Sequence, residues 1–259
     1  MQPEHGEAAF EWIRIGRDKR GAPRNSYLLS SEWPGLFVSH LMPPAFEAYA
    51  RILHRVDAYY ENIDNPLSAS EIAILKIPPC EPLKSFVEQR RADGQGTRIR
   101  WKELSALLSV PFAPEISGLW YGKKLEEGCW PRFLRPGRVW PIGDECQELV
   151  SILRPFAEGR PCFFRLSDIP FLGKSKPPIF KGSVDEVSIF LTTGIYTCGF
   201  EYWWPFDHTW CVCSDFDLNV TVVGGSEKLI SALLADDVLE CIEVKSRTRI
   251  DPFAPIPDF

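Results

Sequence analysis

The stretch that decides the fold runs from Tyr202 to Ser226 and reads YWWPFDHTWCVCSDFDLNVTVVGGS. Two runs within it, 210–214 and 218–223, are rich in the apolar and β-branched residues that favour strands. Two glycines end the second run, and Ser226 is a good N-cap for a helix over 227–235. A last strand is expected over 239–244. This order predicts an α+β fold, a mostly antiparallel sheet with helices packed on one face.

Upstream, the segment 45–60 carries apolar residues at steps of three and four, which predicts a helix with one apolar face. Pro43-Pro44 precedes it, and proline suits the first turn of a helix. His40 and His54 lie beside or on this segment, and we expect both to be hydrogen-bonded structural residues.

Other patterns are shorter. We expect further helices over 101–108 and 144–156, the latter with Asp144 as its N-cap. A loop is expected over 173–182, and strands are expected over 10–15, 27–29, 36–38, 161–166 and 186–192. We find no repeat and no linker, so the sequence predicts a single α+β domain over 1–259, with an irregular insertion around 61–143.

Composition narrows the classes of function. The chain has 259 residues, 45% hydrophobic and 25% charged, which is typical of a globular protein. Its net charge of -6 argues against a nucleic-acid or anionic-membrane partner. The basic run between Lys84 and Lys102 is interpreted as a solvated face. There is no apolar run of about 18 residues that could span a membrane, and no apolar signal core near Met1, so we expect a cytoplasmic protein.

The eight cysteines are scattered and form no Cys-x-x-Cys motif, so we expect reduced thiols and no zinc site. Cys211 and Cys213 alternate along a predicted strand, which favours core packing of both. A Cys–His nucleophile pair with His208 stays open, because proximity in sequence does not fix the geometry. The chain has no nucleotide-binding or hydrolase motif, and we predict no cofactor.

Candidate site residues lie in the same C-terminal stretch. Trp203 and Trp204 suit either a core or a binding surface. Asp207, His208, Asp215 and Asp217 are oxygen and nitrogen donors that could hold a divalent cation, although the pattern favours a polar turn between strands.

The turn formed by Gly224, Gly225 and Ser226 also allows two interpretations. Free amide groups at a helix start can bind an anion. Alternatively, the glycines only permit a tight strand-to-helix turn that Ser226 caps.

Three C-terminal patterns, over 202–210, 217–226 and 229–240, resemble the C-terminus of a group of bacterial hypothetical proteins. The segment 46–54 is similar to a helix of the same group. The matching segments cover roughly a quarter of the chain, and residues 60–160 show little correspondence. The group has no assigned function, so the resemblance implies a bacterial protein and no particular activity.

Two hypotheses of function follow. The first is a non-enzymatic binding or protein-interaction module, for example an immunity-type protein that blocks a toxin or effector, with exposed aromatics beside acidic residues as its site. The alternative is a metal-dependent hydrolase that uses Asp207, His208, Asp215 and Asp217 to activate a water molecule. A third reading is small-ligand binding at the turn 224–226.

Overall fold

The structure is a computed structural model. It describes residues 2–4, 7–16, 35–64, 81–118, 120–121, 130–135, 143–167, 177–188, 199–215, 218, 220–251 and 254.

The described helices and strands are listed here in chain order, after a 3-10 turn at Glu7–Phe10. The helices are α1 (Glu11–Gly16), α2 (Val38–Leu41), α3 (Tyr60–Asp64), α4 (Glu81–Ala92), α5 (Trp101–Leu108), α6 (Asp144–Ala157) and α7 (Glu227–Leu234). The strands are β1 (Gln2–Glu4), β2 (Ala48–Leu53), β3 (Val56–Ala58), β4 (Arg98–Ile99), β5 (Leu134–Arg135), β6 (Cys162–Leu166), β7 (Ile179–Gly182), β8 (Phe200–Pro205), β9 (Cys211–Asp215), β10 (Val220–Gly225) and β11 (Cys241–Val244).

Eight of these strands form one sheet, in the order β1-β7-β6-β8-β9-β10-β2-β11. Every neighbouring pair is antiparallel. The predicted α+β class with a mostly antiparallel sheet is therefore confirmed. The predicted C-terminal elements are confirmed as β9, β10, α7 and β11.

The sheet is buried on both faces. On one face, Trp203, Val212 and Val223 pack with the long helices α6 and α7. On the other, Tyr202 and Trp204 contact Phe10 and Trp12 of the N-terminal helical segment, in a cluster that also includes Trp101 of α5. Because both faces are covered, successive residues of a central strand are all buried, as in β10.

A second, three-stranded sheet has the order β4-β3-β5. The helix α5 follows β4 in the chain, and the Glu240 carboxylate beside β11 accepts the Trp101 and Lys102 amides at its start, both at 2.8 Å. The Trp101 indole also donates to the His54 carbonyl at 2.7 Å. The region around 61–143, expected to be irregular, contains α4 and α5 in its described part.

The prediction of a helix over 45–60 is wrong, because this segment forms the strands β2 and β3. His54 is nevertheless structural, as expected: its Nε2 lies 2.9 Å from the Thr221 hydroxyl, which lies 2.6 Å from the Ser214 hydroxyl. His40 likewise accepts the Phe37 amide at 3.2 Å.

Several shorter predictions also need correction. The segment 10–15, predicted as a strand, mostly forms the helix α1. The strand predicted over 36–38 is not formed either, because α2 begins at Val38. The loop predicted over 173–182 includes the strand β7 at its end. Residues 186–188 are helical, while 27–29 and 189–192 lie outside the described residues. The helices over 101–108 and 144–156 and the strand over 161–166 are confirmed, except that Gly143 rather than Asp144 is the N-cap.

Five cysteines are free thiols within the described chain: Cys146, Cys162, Cys211, Cys213 and Cys241. Cys211 and Cys213 are buried in the same cluster, as the alternation predicted. Within the same described ranges, no helix has the length and apolar character needed to cross a bilayer.

Candidate functional site

Asp207 and His208 lie in the turn that joins β8 to β9. The Asp207 carboxylate accepts a hydrogen bond from the Arg160 guanidinium, and its other oxygen accepts the Thr209 hydroxyl at 3.0 Å. This carboxylate therefore stabilises the turn and is already engaged by a cation. It matches the interpretation of a polar turn.

His208 has a left-handed backbone, with φ of 59°. Its ring stacks on Trp12 of α1, with centroids 4.2 Å apart and planes inclined by 12°. Partial burial lowers the pKa of His208 below its usual value, which favours the neutral imidazole. The adjacent Phe206 is 63% exposed, the most exposed large apolar side chain among the described residues.

Asp215 lies far from this turn, because it is the last residue of β9, whereas the turn precedes the first. A strand of this length spans about 13 Å at ~3.3 Å per residue. Among the described residues, no three His, Cys, Asp or Glu side chains are grouped to hold a metal ion. Asp217 lies outside the described residues. The structure thus brings Asp207 and His208 together and leaves Asp215 apart.

Trp203 and Trp204 are core residues, 1% and 0% exposed on opposite faces of the sheet. Cys211 and Cys213 are equally inaccessible, and burial raises the pKa of Cys213 well above its usual value. Because a nucleophilic cysteine needs its thiolate, this environment does not support a pair with the exposed His208.

The turn at 224–226 has a packing explanation. A Cβ on Gly224 would overlap the Phe46 ring, and one on Gly225 would lie 2.7 Å from Leu229 Cδ2. Ser226 caps α7, since its hydroxyl accepts the Leu229 amide at 3.3 Å. The glycines thus let two side chains pack directly on the backbone.

A carboxylate of the protein itself lies at the start of α7. The Glu47 carboxylate accepts the Glu227 amide at 3.1 Å. A carboxylate is the group that a helix N-terminus attracts, so Glu47 occupies the position expected for a bound anion. Sequence reasoning missed Glu47 because it lies 180 residues from its partner.

Beside this contact is a groove of about 490 Å³ between α7, the end of β11 and the loop before β2. Phe46 contributes apolar surface, together with Leu234, which is 38% exposed, whereas Ile230 is almost fully covered. The charged side chains are Glu47, Glu227, Glu243 and Lys245. The groove is therefore lined by both apolar and polar groups, and its three exposed carboxylates form an acidic rim.

The groove lies at an edge of the main sheet, because the strand order ends at β11 and no described strand pairs with its outer side. The Glu240 carbonyl accepts the Leu53 amide at 2.8 Å. In an antiparallel strand, the backbone N–H and C=O groups of every second residue point to the same side. Those of Ile242 and Val244 therefore also face β2. The backbone groups of Cys241 and Glu243 then point outward.

A row of aromatic side chains continues from the groove along this end of the sheet. Phe46, which lines the groove, makes an edge contact with Trp12 at 6.3 Å, and Trp12 stacks on His208. The registers place the β8–β9 turn, the start of β2 and Ser226 at the same end. We call the groove and this aromatic row together the sheet-end surface. The Trp12–His208 stack joins residues 196 positions apart, so no local sequence pattern could reveal it.

Comparison with protein-family models, with curated proteins and with solved structures finds no match to this chain.

Proposed function

We propose that this protein is a non-enzymatic binding module that recognises a partner protein through the sheet-end surface. The observation that carries the proposal is the groove, which places an exposed apolar side chain and three carboxylates beside a sheet edge that no described strand pairs with. Apolar anchors surrounded by polar groups are the usual anatomy of a protein interface.

The chemistry of the groove favours binding over catalysis. Among the described residues that line it, none is His, Cys or Asp. Glu47 is engaged with the Glu227 amide, and the Tyr49 hydroxyl donates to the Pro43 carbonyl at 3.0 Å. The groove therefore offers a charged surface and, among its described lining residues, no His or Cys that would act as a base or nucleophile.

Within this proposal, an immunity-type protein that blocks a toxin or effector remains one form the module could take. The metal-dependent hydrolase gains no support from the described residues, because Asp215 lies apart from Asp207 and His208.

The test compares a tagged wild-type chain with the double variant Glu243→Lys/Leu234→Lys in lysate of the native host. Both positions are exposed, so the variant should fold, which circular dichroism checks. Glu88→Lys, an exposed reversal on α4, is the matched control. We expect a stoichiometric partner with the wild type and the control, and at least tenfold less with the groove variant. Equal recovery by all three chains, or a wild type that stays alone while it depletes a metabolite, would rule out the proposal.

A further inference from the structure

We propose that the partner enters the groove as an extended basic segment, which pairs with β11 as a ninth strand of the sheet. This inference rests on the proposed function and adds the chemistry of the occupant.

The outer side of β11 presents backbone hydrogen-bonding groups. Cys241 and Glu243 direct their amide and carbonyl groups away from β2, as the register shows. Such groups are a template for another strand, and main-chain hydrogen bonds supply much of the affinity when a peptide adds to a sheet edge. The edge is short, so a segment of about four to six residues would cover it.

The charges that line the groove favour a basic segment. Among the described residues that line the groove, Glu47, Glu227 and Glu243 stand against a single cation, Lys245. In a strand, every second side chain lies on the same face. Glu243 points to the face covered by α7, as does Cys241, which packs in the cluster of that helix. A partner with Lys or Arg at alternate positions therefore sets its cations among these carboxylates.

The apolar surface of the groove adds a second requirement. Leu234 is 38% exposed, and the fully covered Ile230 lies beside it on α7. A volume of about 490 Å³ admits several side chains, as in ordinary ligand sites. We therefore expect an apolar residue of the segment to contact Leu234.

A second copy of this chain fits less well than a basic partner. A symmetric dimer joined at β11 would use the same surface on both chains. Each copy would bring Glu47, Glu227 and Glu243 towards the same three carboxylates of the other. Like charges brought together in an interface are unfavourable, so charge complementarity selects a different, cationic chain.

The experiment uses the full chain and a fluorescent, end-capped heptapeptide of alternating lysine and valine, with fluorescence anisotropy as the readout. We expect Glu243→Lys to weaken binding at least tenfold, whereas Glu88→Lys leaves it within twofold. Affinity should also fall severalfold when the ionic strength rises from about 0.05 to about 0.5 M, because partly exposed charges are screened. Replacing every lysine of the peptide by glutamate should abolish binding.

A peptide that is N-methylated on the amides facing β11 tests the strand pairing, because it keeps its charge and loses its donors. Equal binding of the methylated and unmethylated peptides, or of the wild type and Glu243→Lys, would overturn the inference. A concentration-dependent dimer of the wild type that Glu243→Lys dissociates would also overturn it in favour of self-association. If the peptides do not bind but recovery of the lysate partner still requires the groove, the pairing of a basic segment with β11 is rejected and the proposed function is kept. If recovery of the lysate partner does not require the groove, the proposed function is rejected as well.

Discussion

The Glu47 carboxylate accepts the backbone amide of Glu227 at 3.1 Å, so the loop before β2 caps the helix that forms one wall of the groove. This contact ties the position of α7 to the sheet edge. It also brings one of the three rim carboxylates into place.

Glu47→Gln should lower the free energy of unfolding by about 0.3–1 kcal/mol, because a negative charge near a helix N-terminus is stabilising by that amount. Urea denaturation measures the change. Glu243→Gln is the matched control, since it neutralises a carboxylate of the same rim away from the start of α7, and it should stay within about 0.5 kcal/mol of the wild type. Equal effects of the two variants would mean that Glu47 does not cap α7.

Gly225→Ala should destabilise the fold by about 1–3 kcal/mol, because the added methyl group overpacks a filled site. Its Cβ would lie 2.7 Å from Leu229 Cδ2 and 3.3 Å from Trp210 Cβ. Gly96→Ala is the control, as a Cβ there meets no atom within 4 Å. Thermal unfolding of both variants checks the difference. A Gly225→Ala protein as stable as Gly96→Ala would show that the strand-to-helix turn is loosely packed.

The stability of the protein should fall as pH rises between about 4.5 and 7 because of Glu145, which is 2% exposed at the start of α6. Burial raises the pKa of this carboxyl to about 7 from a usual 4.5, against the opposing effect of Arg98 and Arg55. The folded chain then binds more protons than the unfolded chain inside this window. Glu145 therefore favours the folded state fully below about pH 4.5, and this contribution is lost as pH rises through 7, by at most about 1.4 kcal/mol per pH unit.

Glu145→Gln removes this titration and keeps the shape of the side chain. Urea unfolding of both chains at pH 5, 6, 7 and 8 should show that the wild type loses more stability than the variant over this range. Glu240 also has a raised pKa from burial, and it is present in both chains, so it cancels in the comparison. Parallel pH profiles would contradict an ionisation of Glu145 near neutrality.

The C-terminal elements could be predicted from sequence because their signals are local. Ser226 caps the helix that follows it, and Gly224 and Gly225 end the strand that precedes it. The strand β2 could not be predicted, for a physical reason. The sheet is covered on both faces, so its central strands show no alternation of polar and apolar residues.

Two buried polar residues also favoured the incorrect prediction of a helix over 45–60. Arg51 is 2% exposed and donates to the Pro114 carbonyl at 2.9 Å, and burial lowers its pKa to about 10. His54 is fully buried against Thr221. On a helical wheel these residues mimic a polar face. Their partners are distant in sequence, as is the partner of Glu47, so neither β2 nor the groove could be predicted from local patterns.

Amide hydrogen exchange, measured by NMR with and without the lysine–valine peptide, reports directly on whether a partner binds at the outer side of β11. We expect exchange to slow at least tenfold at Cys241 and Glu243, whose amides point outward, and to change little at Ile242 and Val244, whose amides already face β2. Unchanged exchange at Cys241 and Glu243 with the peptide bound, or protection confined to the β8–β9 turn, would contradict binding at β11.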